Sequence, residues 1–260
     1  MSASSATVPI HSVPGFLWRA ITSSLGAKIV MAASGLLFYA WLTLHLLGNL
    51  GVFAGAATEN AYAHFLKGNP EILWAQRLGW MSLFPIHVLS GIRLAALNRA
   101  ARPQAYASPR NWRQASLASR TMLVSGTVVL AFFIFHLGHF TWGGWLNEHF
   151  AVDPPDGSIP NVYGMVYGEF SRLPIAIVYV VGVSFIGFHL SHGLWSGVQS
   201  LGLNGKKWTP FAQKLGLILG IAIALGFALI PLSIVSGALS NNQSRPTHAA
   251  NGVPSLHARP

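Results

Sequence analysis

The stretch RLPIAIVYVVGVSFIGFHLSHGLWSGVQ, residues 172–199, opens on Arg172 and then runs to Gln199 with His189 and His192 as its only ionisable groups besides Tyr179. About 20 mostly apolar residues suffice for a helix to cross a bilayer, so this stretch predicts a membrane span. An imidazole within it sits in hydrocarbon, where an ionisable side chain is costly and requires a partner. The search for partners organises the rest of the chain.

Four further stretches read the same way, giving five spans at about 27–53, 72–97, 120–145, 172–199 and 211–239. Pro85 and Pro231 fall inside the second and fifth, where neighbouring helices can satisfy the freed carbonyls. His45, His87, His136 and His189 lie in the first four, one in each. From Lys28, Glu71, Arg120 and Arg172, the charged residues that open these stretches, the separations are 17, 16, 16 and 17 positions. At about 1.5 Å per residue each imidazole lies roughly 24–26 Å along its helix.

Composition agrees with the spans. The 260 residues are 52% hydrophobic and 8% charged, against roughly 25% charged in a soluble domain. The expected fold is an all-α membrane protein of five transmembrane helices, four of them forming a haem-binding bundle. Residues 1–20 and 240–260 are expected to be disordered tails flanking a single domain at 21–239. Residues 1–20, Ser-rich and broken by Pro9 and Pro14, lack the basic start and apolar core of a secretory signal and are expected to be retained.

The net charge of +10 does not point to nucleic acid, because the basic residues cluster beside the spans. Arg93, Arg99, Arg102, Arg110, Arg113 and Arg120 flank the link between spans two and three, and Lys206, Lys207 and Lys214 the link between four and five. With Arg19 and Lys28, eleven of sixteen basic residues fall on one side, which the positive-inside rule makes cytoplasmic. The expected topology in a cell inner membrane is N-terminus in and C-terminus out. Glu59, Glu71, Glu148, Asp153, Asp156 and Glu169 then all lie outside.

Orientation pairs the histidines. Alternate spans enter from opposite faces, so His45 and His136 lie toward the outside and His87 and His189 toward the cytoplasm. Two imidazoles from facing helices can close both axial positions of haem iron, and two pairs hold two haems. Cysteine is absent, which excludes disulfides, a c-type attachment motif and thiolate ligands for a cluster in this chain, so the expected cofactors are two haem b. His139 and His192, three residues beyond His136 and His189 and on nearly the same helix faces, are the rival ligands, expected to lie further along, close to the exit interface, where imidazole meets water or headgroups.

Charged and aromatic residues fill supporting roles. Lys28, Arg93 and Arg120 are placed to hold the propionates of the cytoplasmic haem, and Arg77 or Arg172 those of the outer one, with topology or snorkelling as the alternative for each. Trp74, Trp80, Trp142, Trp145 and Trp195 read as an aromatic belt. Gly35, Gly91, Gly126 and Gly193 would admit close approach of a helix or macrocycle. In the outer loop Glu59, His64 and Glu71 are candidate proton-handling groups for quinone, against the alternatives of an exposed polar loop and of a quinone site on the cytoplasmic side near Arg93.

The stretches LTLHLLGNLGVF (42–53), FPIHVLSGIRLA (84–95), FFIFHLGHF (132–140) and FHLSHGLWSG (188–197) resemble the cytochrome b subunit of succinate:quinone oxidoreductases, of the single-chain, five-helix, di-haem type. The resemblance spans about 25–239 and includes SRTMLVSG (119–126) and NAYAHFLKGNP (60–70). It implies a membrane anchor, within succinate dehydrogenase or fumarate reductase, for a flavoprotein with covalently bound FAD and an iron-sulfur subunit. This chain would carry the haems and the quinone site, with menaquinone favoured. The family's ligands fall on His87 and His189 for the haem nearer the iron-sulfur subunit and on His45 and His136 for the distal one. One position departs: Gly187 stands where some fumarate-reducing relatives place a carboxylate.

Two other readings stay open at this point. Cytochrome b anchors of hydrogenase or formate dehydrogenase also hold two haems, and a haem-free transporter could use the histidines as a proton relay.

Overall fold

A computed structural model describes Gly15 and residues 23–101, 117–142, 147–151 and 160–241. Among these residues the chain is helical and contains no strand. Five helices are long and apolar enough to cross a membrane: Ser24–Asn49, which continues as a 3-10 turn over Leu50–Ala54, then Pro70–Ala100, Met122–Phe140, Leu173–Ser200 and Trp208–Val235. The fold is that of an all-α membrane protein. Leu44, Met81, Leu89 and Ile218 are among many large apolar side chains left exposed, a surface suited to hydrocarbon rather than water.

Local chemistry sets the helix ends. Gly26 donates its N–H to Ser23 Oγ at 2.9 Å and so starts the first span. Pro70 and Pro174 occupy first-turn positions, where a missing N–H removes no helical bond. Pro85 and Pro231 lie inside continuous helices. The third span stops at Phe140 rather than reaching 145, because Trp142 turns back to donate to the Leu137 carbonyl at 2.8 Å and Asn147 Nδ2 donates to that of His139 at 3.0 Å. The expected tails lie outside the described residues, apart from Gly15, Ser240 and Asn241.

Neighbouring spans run antiparallel. Met31, early in the first span, lies against Gly91 late in the second, and Leu36 lies against Gly197 late in the fourth. Spans four and five make the closest pair. A Cβ on Gly187 would stand 2.6 Å from Ala224 Cβ and 2.7 Å from the Gly220 carbonyl, and one on Gly216 would stand 2.8 Å from the Ser191 carbonyl. Gly216, Gly220 and Ala224 recur every fourth residue, the spacing that lets membrane helices touch through backbone. This seam explains Gly187: no carboxylate fits there while the two helices stay in contact.

One end of the bundle is basic, with Lys28, Arg93, Arg99, Lys206 and Lys207, and the other is acidic, with Glu59, Glu71, Glu148 and Glu169. Two short helices, Ala56–Gly68 and Val162–Phe170, cap the acidic end, the first of them where the sequence suggested an outer loop. Tyr163 donates its N–H to Asn60 Oδ1 at 2.8 Å and ties the caps together. Beneath them Val52, Tyr163, Phe170, Tyr179, Ile230 and Ile234 form the main buried apolar cluster. The second span, by contrast, buries none of its residues and packs chiefly on the first.

Candidate functional site

The structure brings His45 and His136 into a facing pair and sets His87 and His189 toward the other end of the bundle. Toward the acidic end His45 and His136 face each other from the first and third spans, ring centroids 6.0 Å apart and planes at 75°. An iron atom between two imidazoles, bonded at the roughly 2 Å of a metal–imidazole bond, separates ring centroids by about 6 Å. The pair has the spacing of two axial ligands. Toward the basic end, His87 and His189 are each approached at Nδ1 by a serine of the preceding span.

The partners of these rings decide which nitrogen is free. His87 Nδ1 lies 3.1 Å from Ser34 Oγ, whose own hydrogen has the Val30 carbonyl at 2.8 Å. His189 Nδ1 lies 3.1 Å from Ser125 Oγ, which in turn reaches the Met122 carbonyl at 3.1 Å. With each hydroxyl donating to its own helix, it accepts Nδ1–H, and Nε2 keeps its lone pair. Ligating imidazoles commonly have their second nitrogen fixed in this way.

The two serine contacts are copies of one arrangement. SGLLFYAWLTLH (34–45) and SGTVVLAFFIFH (125–136) each place Ser-Gly eleven residues before a span histidine, at the start of spans one and three. In both, serine holds the histidine of the following span, and glycine supports its ring. A Cβ would stand 3.1 Å from His87 Cε1 at Gly35 and 3.3 Å from His189 Cε1 at Gly126. Sequence reasoning missed Ser34 and Ser125, although this repeat was the signal for them.

His136 belongs to a longer chain of contacts. Its Nδ1 lies 3.3 Å from Tyr179 Oη, which lies 2.9 Å from His139 Nδ1, while His139 Nε2 lies 3.0 Å from Glu169 Oε2. One set of hydrogens satisfies all of them: His136 Nδ1–H donates to the Tyr179 oxygen, Tyr179 O–H to His139 Nδ1, and His139 Nε2–H to Glu169. His136 Nε2 is again left free. His45 instead stacks on Trp41, centroids 4.6 Å apart, and the Asn49 Nδ2 donor lies 3.3 Å from its Nδ1 and 3.5 Å from its Nε2, so no acceptor fixes Nδ1–H there as one does for the other three.

His139 thus corrects the sequence expectation of an imidazole meeting water: it is fully buried, because Val162–Phe170 lays Glu169 over it. Glu169, also fully buried, accepts further hydrogen bonds from His149 Nδ1 at 2.8 Å, the Glu148 N–H at 2.9 Å and Arg172 Nη1 at 3.2 Å. Burial alone pushes its carboxyl up, but the bonds from His149 and His139 and the charges of His139 and Arg172 outweigh that and hold it below its ordinary value. Arg172 also meets Glu148 at 3.1 Å, so carboxylates already occupy its guanidinium.

Among the other sequence candidates, Glu59, His64 and Glu71 do not share one setting. His64 and Glu71 are exposed, whereas Glu59 is buried, with Oε2 2.8 Å from where a Gly51 Cβ would stand and no hydrogen-bond partner there among the described residues. Burial pushes its carboxyl up to about 7. Lys28, Arg77, Arg93 and Arg120 are exposed, and Arg77 lies over the Trp74 ring at 5.3 Å. Trp80 is not part of a belt: it stacks on Phe38 at 4.8 Å inside the bundle. Trp145 lies outside the described residues.

Among the described residues no group of three or more His, Asp or Glu side chains stands ready for a bare metal ion. His45 and His136 offer two donors, a number that suits a metal whose other ligands arrive with a macrocycle. No protein-family model, curated protein or solved structure matches this chain.

Proposed function

We propose that this chain is the membrane-anchor cytochrome b subunit of a succinate:quinone oxidoreductase, binding two haem b and passing electrons between an iron-sulfur subunit and membrane quinone. The observation that carries the reading is the His45–His136 pair, 6.0 Å between centroids, with Nε2 of His136 left free by its hydrogen bonding. His87 and His189 would hold the second haem, their Nδ1 atoms fixed by Ser34 and Ser125.

When bound, haem supplies the one-electron chemistry. The chain's own residues orient the imidazoles, exclude water from the acidic-end site through Val162–Phe170 and shape the quinone approach. Lys28, Arg93 and Arg120 serve propionates at the basic end. Arg77 remains the candidate at the other end, because Arg172 is engaged by Glu169 and Glu148. Glu59 is the strongest of the three quinone candidates, since it alone combines burial with a carboxyl that titrates near neutrality. The flavoprotein with its FAD and the iron-sulfur subunit would dock on the cytoplasmic, basic end, with menaquinone as the favoured quinone.

A reduced-minus-oxidised visible spectrum of the purified chain tests the haem, and gentle purification from native membranes followed by succinate and fumarate assays tests the complex. Two b-type components and a copurifying flavoprotein and iron-sulfur protein are expected. A haemless chain would favour the reading as a haem-free proton-translocating protein, to which the buried Tyr179–His139–Glu169 chain also lends itself. Copurification with a hydrogenase or formate dehydrogenase would reassign the anchor.

A further inference from the structure

The hydrogen-bonded chain from His136 does not end in the bundle. From His136 it passes through Tyr179 and His139 to Glu169, and Glu169 is bonded to His149, whose side chain is 46% exposed. A continuous polar path therefore joins a span histidine to the acidic-end surface through two fully buried ionisable groups, His139 and Glu169. Buried polar groups are costly to assemble, and orientation of His136 alone would need only the Tyr179 hydroxyl.

Glu169 is faced by His139 from the third span, by His149 and the Glu148 N–H from the 147–151 segment, and by Arg172 at the head of the fourth span. Tyr179 lies beyond His139, and the Glu148 carboxylate lies on the far side of Arg172. An electron placed in a low-dielectric site is stabilised by a proton taken up nearby, provided that a titratable group there is connected to water. The Glu169–His149 pair meets both conditions.

We propose that the Glu169–His149 pair is a proton-loading site for the His45–His136 redox centre: each electron that reaches this centre is matched by one proton drawn onto the pair from acidic-end water, and reoxidation releases it there. The inference rests on the haem reading of that centre. The electron comes from any one-electron donor, a poised mediator in the assay, and the proton from water at His149.

The test is an equilibrium redox titration of the full-length chain, followed by its b-type absorption, between pH of about 6 and about 8. The His45–His136 component is identified as the one lost in His45→Ala. Its potential is expected to fall as pH rises, and Glu169→Gln is expected to flatten that dependence while the absorption band remains. His149→Gln, at a half-exposed position, is expected to flatten it as well. A pH-independent wild-type potential, or the same slope in both variants, overturns this inference and leaves the haem reading standing. A chain without b-type absorption overturns both.

Discussion

Ser125 Oγ stands 3.1 Å from Nδ1 of His189, and Ser34 stands at the same distance from Nδ1 of His87, so two different pairs of spans hold two histidines in one way. Replacing either serine by alanine removes the acceptor for Nδ1–H and leaves the ring free to rotate. Ser125→Ala and Ser34→Ala are expected to weaken retention of the basic-end haem by roughly 10- to 100-fold and to raise its potential, because the imidazole loses basicity. Haem content per chain after washing, with potentiometry, checks this; equal loss from both haem components would contradict it.

Two b haems per chain are expected in a pyridine haemochrome measurement. Single alanine variants of His45 and His136 should lose one spectral component, and those of His87 and His189 the other. A His45 variant that instead loses the component lost with His87 would contradict the pairing seen in the 6.0 Å contact.

Gly187→Ala forces a methyl group against the Gly220 carbonyl and Ala224. Overpacking of this kind costs about 1–3 kcal/mol, and it should lower the midpoint of thermal unfolding in detergent. Gly193→Ala is the control, since a Cβ there meets nothing within 4 Å. Gly187→Glu should be worse than either.

Glu59 gives a pH dependence with a definite sign. Its carboxyl is raised from 4.5 to about 7 by burial, so folding favours the protonated form. The stability it contributes is complete below about 4.5 and is lost as pH rises through about 7. The midpoint of thermal unfolding of the wild type should fall across that window, and Glu59→Gln should remove this part of the decline. The same substitution is expected to lower quinone-linked turnover while both haem spectra persist.

The five spans were legible because hydropathy over 19 to 31 residues is a strong, local signal. The two capping helices were not, because Ala56–Gly68 and Val162–Phe170 are short and mixed in polarity. That omission propagated to His139. Counting depth along a helix placed it near water, yet Glu169 comes from a cap thirty residues away in sequence. Trp80 was misplaced for a related reason: an aromatic near a helix end reads as interfacial until Phe38 is seen beneath it. The glycines carried more than their frequency suggested, since Gly35 and Gly126 bear on His87 and His189, whereas Gly193 touches nothing.

The second span supplies His87 but buries none of its residues, and beyond the first span it meets the bundle chiefly through Trp80 and Phe84 against Phe133 of the third. On the proposed reading, haem held by His87 would add a further link to these few aromatic contacts. Newly made chain would then carry this helix loosely until cofactor arrives, and membrane proteases would meet it in that interval. Cellular abundance of the protein should accordingly follow haem supply.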